Sequence, residues 1–220
     1  MTCSVLSVEP KEEVKTAAKK LAQKPNYSWL STPKAEGGGN AGAGPAEGKT
    51  EKGGFSYVTF SLGNTDIELA FKGEKGAIKR PDEDWKGAEE LEGNSAWIAR
   101  RLKAFKAPAA EAEELADNVS EWKKGEGNIY SGPLTEAGVK ELFARVRRRE
   151  GGDGPEDAKG SAKFWIKDGV LTKYQYNVQG KITVGADKRE VEVNRTTTVE
   201  IKDVGETTVK IPEEAKKKLS

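Results

Sequence analysis

One segment restricts the possible folds more than any other. Over residues 172–184, Tyr174, Tyr176, Val178, Ile182 and Val184 alternate with Lys173, Gln175, Asn177, Gln179, Lys181 and Thr183. Alternation of period two puts the first set on one face of a strand and the second on the other. Thirteen residues of strand reach about 43 Å, so the sheet that holds this strand is long. Gly180 falls on the apolar face and predicts a bend or bulge there. One face of that sheet is expected to be wet. The other must be covered.

Further strands follow the same logic. Residues 26–32 place Tyr27 and Trp29 on one face; residues 55–62 place Val58, Phe60 and Leu62 together; residues 66–72 place Ile67, Leu69 and Phe71 together. Residues 75–80 and 85–89 read as a short pair around the turn Pro81-Asp82-Glu83-Asp84. Residues 163–167 lead into Asp168-Gly169, a strong hairpin signal. Residues 190–202 and 207–211 return the chain after the long strand.

Four amphipathic helices supply the cover. Pro10 opens the first, with Val14, Ala17, Ala18 and Leu21 at i, i+3, i+4 and i+7. Ser95 is placed to cap a second, which carries Trp97, Ile98, Leu102 and Phe105. Pro108 opens a third, with Ala112, Leu115, Ala116 and Val119. Thr135 is placed to cap a fourth, with Val139, Leu142, Phe143 and Val146. A short helical tail follows Pro212. Residues 34–54 hold eight glycines and no large apolar side chain, so they are expected to be a mobile loop, dispensable for folding. Residues 151–160 are expected to be a Gly-rich linker between the helical lid and the terminal β-meander. The whole, residues 1–220, reads as a single α+β domain. It is a long, curved antiparallel sheet, an unclosed half β-barrel, with helices covering its concave face.

Composition removes most chemistry. Lys plus Arg is 37 and Asp plus Glu is 36, a balance that argues against a nucleic-acid partner. There is no histidine and one cysteine. Histidine-based catalysis, intrachain disulfides and thiolate zinc sites are therefore excluded. The paired carboxylates Asp82/Asp84, Glu89/Glu90, Glu113/Glu114 and Glu213/Glu214 lie in charged turns or on helix surfaces. Asp82-Glu83-Asp84 lacks the glycine and distal glutamate of a calcium loop. Gly48-Lys49-Thr50 has the tail of a phosphate-binding loop but not its upstream glycine. No catalytic residues, no metal and no cofactor are expected, and the chain reads as a non-enzyme.

No run of residues is apolar enough to cross a membrane as a helix, and residues 1–6 carry no complete signal peptide. Cys3 fits two readings: an inert terminal thiol, or the lipidated first residue of a mature bacterial lipoprotein. Arg145, Arg147, Arg148 and Arg149 suit a helix C-terminus. Arg100, Arg101, Lys103 and Lys106 suit pairing with the acidic helix that follows, or contact with anionic headgroups. The apolar set Val58, Phe60, Leu69, Phe71, Trp97, Leu102, Phe105, Tyr174, Tyr176, Val178 and Ile182 also has two readings. It is either packed core or the lining of a ligand site between sheet and helices.

The order of elements, with its local text, resembles a known family. Gly76-Ala77-Ile78-Lys79 followed by Asp84-Trp85-Lys86 is similar to a strand–turn–Trp hairpin. Ile129-Tyr130-Ser131-Gly132-Pro133-Leu134 is similar to a short Tyr-x-Gly-x-Leu stretch between helices. Phe164-Trp165-Ile166-Lys167-Asp168-Gly169-Val170-Leu171 is similar to a late Trp–Asp-Gly–Leu hairpin. Thr198-Val199-Glu200-Ile201-Lys202-Asp203-Val204-Gly205, leading to Val209-Lys210-Ile211-Pro212, is similar to a closing pair of strands. Across roughly residues 8–215 the chain resembles the LolA/LolB-like lipoprotein-carrier superfamily, which includes the LppX/LprG-like lipoproteins. The resemblance implies an unclosed β-barrel with a helical lid, an apolar cavity for acyl chains or lipidated N-termini, and no catalytic residues. It implies a monomer in the bacterial envelope or periplasm, with a membrane surface within reach of a lipidated N-terminus. The Gly-rich 34–54 stretch and the missing signal depart from that pattern, and a cytoplasmic chain is the alternative. A protein-interaction or sensor module of the same fold, with a filled core, is the alternative function.

Overall fold

The computed structural model describes residues 9–36, 44–146, 155–184 and 189–220. Cys3 and residues 147–149 lie outside the described residues. Eleven strands form one antiparallel sheet: β1 (Asn26–Ala35), β2 (Ala46–Glu51), β3 (Phe55–Leu62), β4 (Thr65–Lys72), β5 (Lys75–Lys79), β6 (Lys86–Gly87), β7 (Lys123–Lys124), β8 (Ile129–Pro133), β9 (Glu156–Lys167), β10 (Val170–Val184) and β11 (Arg189–Lys202). Their order is β6-β5-β4-β3-β2-β1-β11-β10-β9-β8-β7. The sheet is unclosed, and a two-residue strand stands at each end, which keeps the free edges short.

This order consists of two meanders joined at β1 and β11. The chain leaves one end of the sheet at β6 and re-enters at the other end with β7. The connection therefore crosses the sheet, carrying α2 (Ala96–Lys103) and α3 (Pro108–Asp117) with it. α2 packs on β5, α3 on α1 (Pro10–Ala22), and α1 and α4 (Glu136–Val146) on β9 and β10. The expected stripes are buried: Val14, Ala17, Ala18 and Leu21; Ala112, Leu115 and Ala116; Val139, Leu142 and Phe143. Pro10 and Pro108 open their helices as expected. Thr135 Oγ1 accepts the Gly138 N–H at 3.1 Å, capping α4. Ser95 makes no such bond, and α2 begins from a 3₁₀ turn instead.

The long strand runs from Val170 to Val184. Its register with β9 slips between Gln179 and Lys181, where a bend was expected. The Asp168-Gly169 turn has both residues at positive φ, 53° and 71°, as a two-residue hairpin requires.

Four expectations need correction. Of residues 34–54, 37–43 lie outside the described residues, and much of the rest is strand. β1 continues to Ala35, and Ala46–Glu51 is an internal strand paired on both sides. Its small side chains are what the packing demands, because Trp29 fills the space above Gly48. Residues 156–160, read as linker, are the first part of β9; Gly160 is small because Leu134 and Val139 press on it. The 85–89 strand shortens to Lys86–Gly87, and residues 207–211 form no strand. Finally, the outer face is not wholly wet. Ala70, Ala77 and Trp85 form a second small core with Ile211, Ala215 and Leu219. The last two belong to α5 (Glu213–Lys218) and the residue after it.

Candidate functional site

Register aligns the inner side chains in rows across the sheet. One row runs Leu69, Val58, Gly48, Trp29, Ile201. The next runs Ile67, Phe60, Ala46, Ser31, Val199, Tyr174, Phe164, Tyr130. Above it lie Pro33, Thr197, Tyr176 and Ala162, then Ala35, Arg195, Val178 and Gly160. Helices lie over these rows, so the inner face and the helix stripes make one core.

The structure brings ten of the eleven candidate residues to this core. Val58, Phe71, Leu102, Tyr174 and Val178 are buried within it. Phe60, Leu69, Phe105, Tyr176 and Ile182 pack against it and are only half-buried. Trp97 stands apart. It is half-buried, outside the cluster, with the Arg101 guanidinium 5.6 Å from its ring centroid. Phe105 lies over Phe71, with ring centroids 3.8 Å apart and planes 11° apart, and Trp29 is 6.5 Å away on its other flank.

Polar groups at this face are anchored. The Trp29 indole N–H donates to Thr50 Oγ1 at 3.1 Å, and Thr50 shares a 3.0 Å hydrogen bond with Ser56. The Tyr174 hydroxyl donates to Glu111 of α3 at 2.5 Å. Burial first, and then the Glu111 charge, push the Tyr174 phenol well up. Burial also pushes Tyr27 up, to about 12. A cleft of about 10 Å³, enough for one water molecule, lies between α3 and α4. Tyr176, Leu115 and Leu142 are among its walls.

The half-buried Arg195 puts a charge among the inner-face rows. Arg195 shares its face with Val193, Thr197 and Val199 and is opposed by Ala35 and Val178. Its Nε is buried and has no hydrogen-bond partner among the described residues. Burial lowers its pKa, and the phenol of Tyr176 opposes that shift. The sequence carries a signal for it: Val191, Val193, Val199 and Ile201 alternate, and Arg195 falls in their register.

No family model matches the chain, and no curated protein matches it. Solved structures do. Lipoprotein LppX of Mycobacterium tuberculosis superposes with a TM-score of 0.54 at 12% identity, covering 91% of this chain and 97% of that one. LprF from Mycobacterium bovis gives 0.48 at 12% identity, covering 94% and 97%. The chain thus has the fold of the mycobacterial lipoprotein LppX, the unclosed and helix-covered sheet that its sequence pattern resembles.

Proposed function

We propose that this chain is a non-enzymatic binder of an apolar ligand, a lipid or acyl chain, held between the inner face and the helices. One observation carries the reading. Phe60, Leu69, Phe105, Tyr176, Ile182 and Val193 are only half-buried where they pack against the buried core. Covering such side chains gains about 25 cal/mol per Å² of apolar surface, and the sheet is open at both ends. An acyl chain is the ligand class that gains from a long apolar track with few polar anchors. The fold shared with a protein named as a lipoprotein supports a place in the bacterial envelope. Lipidation at Cys3 would tether the chain to a membrane there. In this reading the chain works as a monomer.

Native mass spectrometry of the purified chain tests this. Co-purifying lipid, or saturable binding of a fluorescent fatty acid, is the expected result. A clean apo mass with no probe binding overturns it. A second reading, an interaction or sensor module with a filled core, has its own support in the 3.8 Å stacking of Phe71 on Phe105 and in the one-water cleft beside Tyr176. It predicts that clean mass.

A further inference from the structure

An arginine inside an apolar register is costly to keep. Arg195 is half-buried, and the part of a guanidinium that is withdrawn from water is costly unless it is paired and hydrogen-bonded. Arg195 lies between Ala35 and Val178, with Val193 and Thr197 beside it on the same strand. Its Nε is buried without a hydrogen-bond partner among the described residues. The phenol of Tyr176, which is itself half-buried, stands one row along on the neighbouring strand, where it pairs with Thr197. Half-buried apolar side chains lie on either side of it in the sheet, Phe60 on β3 and Ile182 on β10.

We infer that Arg195 is the headgroup-reading residue of the inner face, and that the ligand is an anionic amphiphile whose carboxylate or phosphate meets this guanidinium. The inference rests on the apolar-ligand reading and deepens it. The planar guanidinium presents several N–H donors in a fixed fork, which matches two oxygens of a carboxylate or phosphate. The acyl chain then lies along the half-buried side chains. The arginine fixes orientation and selects charge; the apolar track supplies most of the affinity.

The test uses the full chain and two fluorescent probes that differ only in charge: cis-parinaric acid and its methyl ester, titrated at pH 8. Wild type is expected to bind the acid about tenfold more tightly than the ester, the range of one charge-assisted hydrogen-bonded pair. Arg195→Met should remove that preference and melt no lower than wild type. Equal affinity of wild type for the two probes overturns the headgroup role and leaves the apolar site standing. So does an Arg195→Met variant that keeps the preference. Binding of neither probe overturns both. Inorganic phosphate separates a lipid headgroup from a free anion: it should displace the acid only at millimolar levels. Displacement at micromolar phosphate would make the site a free-anion site and overturn the lipid assignment.

Discussion

Trp29 and Gly48 face each other across β1 and β2, and a Cβ at position 48 would lie 2.1 Å from the indole Cε2. The indole takes the space that a side chain at 48 would need. Gly48→Ala should therefore force the ring aside, break its bond to Thr50, and cost about 1–3 kcal/mol as overpacking. Lys49→Ala, one residue along and exposed, should stay within about 0.5 kcal/mol of wild type. Urea denaturation of the two variants is the check. Equal midpoints would place residues 46–51 outside the sheet.

Phe105 separates a lid from a core. It is half-buried and stacked on Phe71. Truncating a fully buried phenylalanine costs about 3–5 kcal/mol, so Phe105→Ala should lose about the lower end of that. Phe105 was expected on the second helix but lies two residues past the end of α2; if this segment retains ligand, the same variant should weaken fatty-acid probe binding more than Leu219→Ala does, at matched loss of stability. Parallel losses in the two variants would make Phe105 ordinary core.

The outer core depends on the chain's last turn. Leu219 is buried against Trp85, and Lys218 bonds Glu90 at 2.7 Å. Leu219→Ala should cost about 2–5 kcal/mol, and deletion of residues 213–220 should uncover Trp85. Tryptophan emission should then shift to the red while the far-ultraviolet circular dichroism of the sheet persists. An unshifted spectrum would mean that α5 does not cover this face.

Alkaline pH should destabilise the fold. Burial raises the phenols of Tyr27, to about 12, and Tyr174, well above its usual value, so the folded chain favours their neutral forms. In the unfolded chain both ionise near pH ~10. Their contribution is complete below that pH and is lost as pH rises through 10 to 12. The urea midpoint should fall across this window. Absorbance at 295 nm should show Tyr27 and Tyr174 ionising late, and their normal ionisation near pH 10 in the folded chain would contradict the buried placement.

Long alternating strands and helix stripes were legible because each repeats its signal over several residues. The stretch 172–184 names its inner face five times over. β2 was not legible, since Gly48 and Thr50 are small for a reason that lies in Trp29, a residue on another strand. The first part of β9 hid for the same reason: Gly160 makes room for Leu134 and Val139 on elements before it. Ala70 and Ala77, too small to announce a face, gave no sign that the outer side carries a core. At the candidate site, the apolar set was readable and Arg195 was readable in principle. Its meaning depends on register with Ala35 and Val178, which sequence spacing does not provide.

The seam between the two meanders sets a timetable for folding. Every other pairing in the sheet joins consecutive strands, and all but β8 with β9, whose connection carries α4, can form across a short connection as soon as their residues are available. β1 with β11 is different: Trp29 faces Ile201, and closing that contact encloses nearly the whole chain. The entropy of so large a loop is lost before the contacts across it are gained. Each half can gather into a partial sheet with β1 or β11 as its raw edge, and such edges recruit foreign strands. Slow refolding, with aggregation that rises with protein concentration and is suppressed once β11 docks, follows from this one junction.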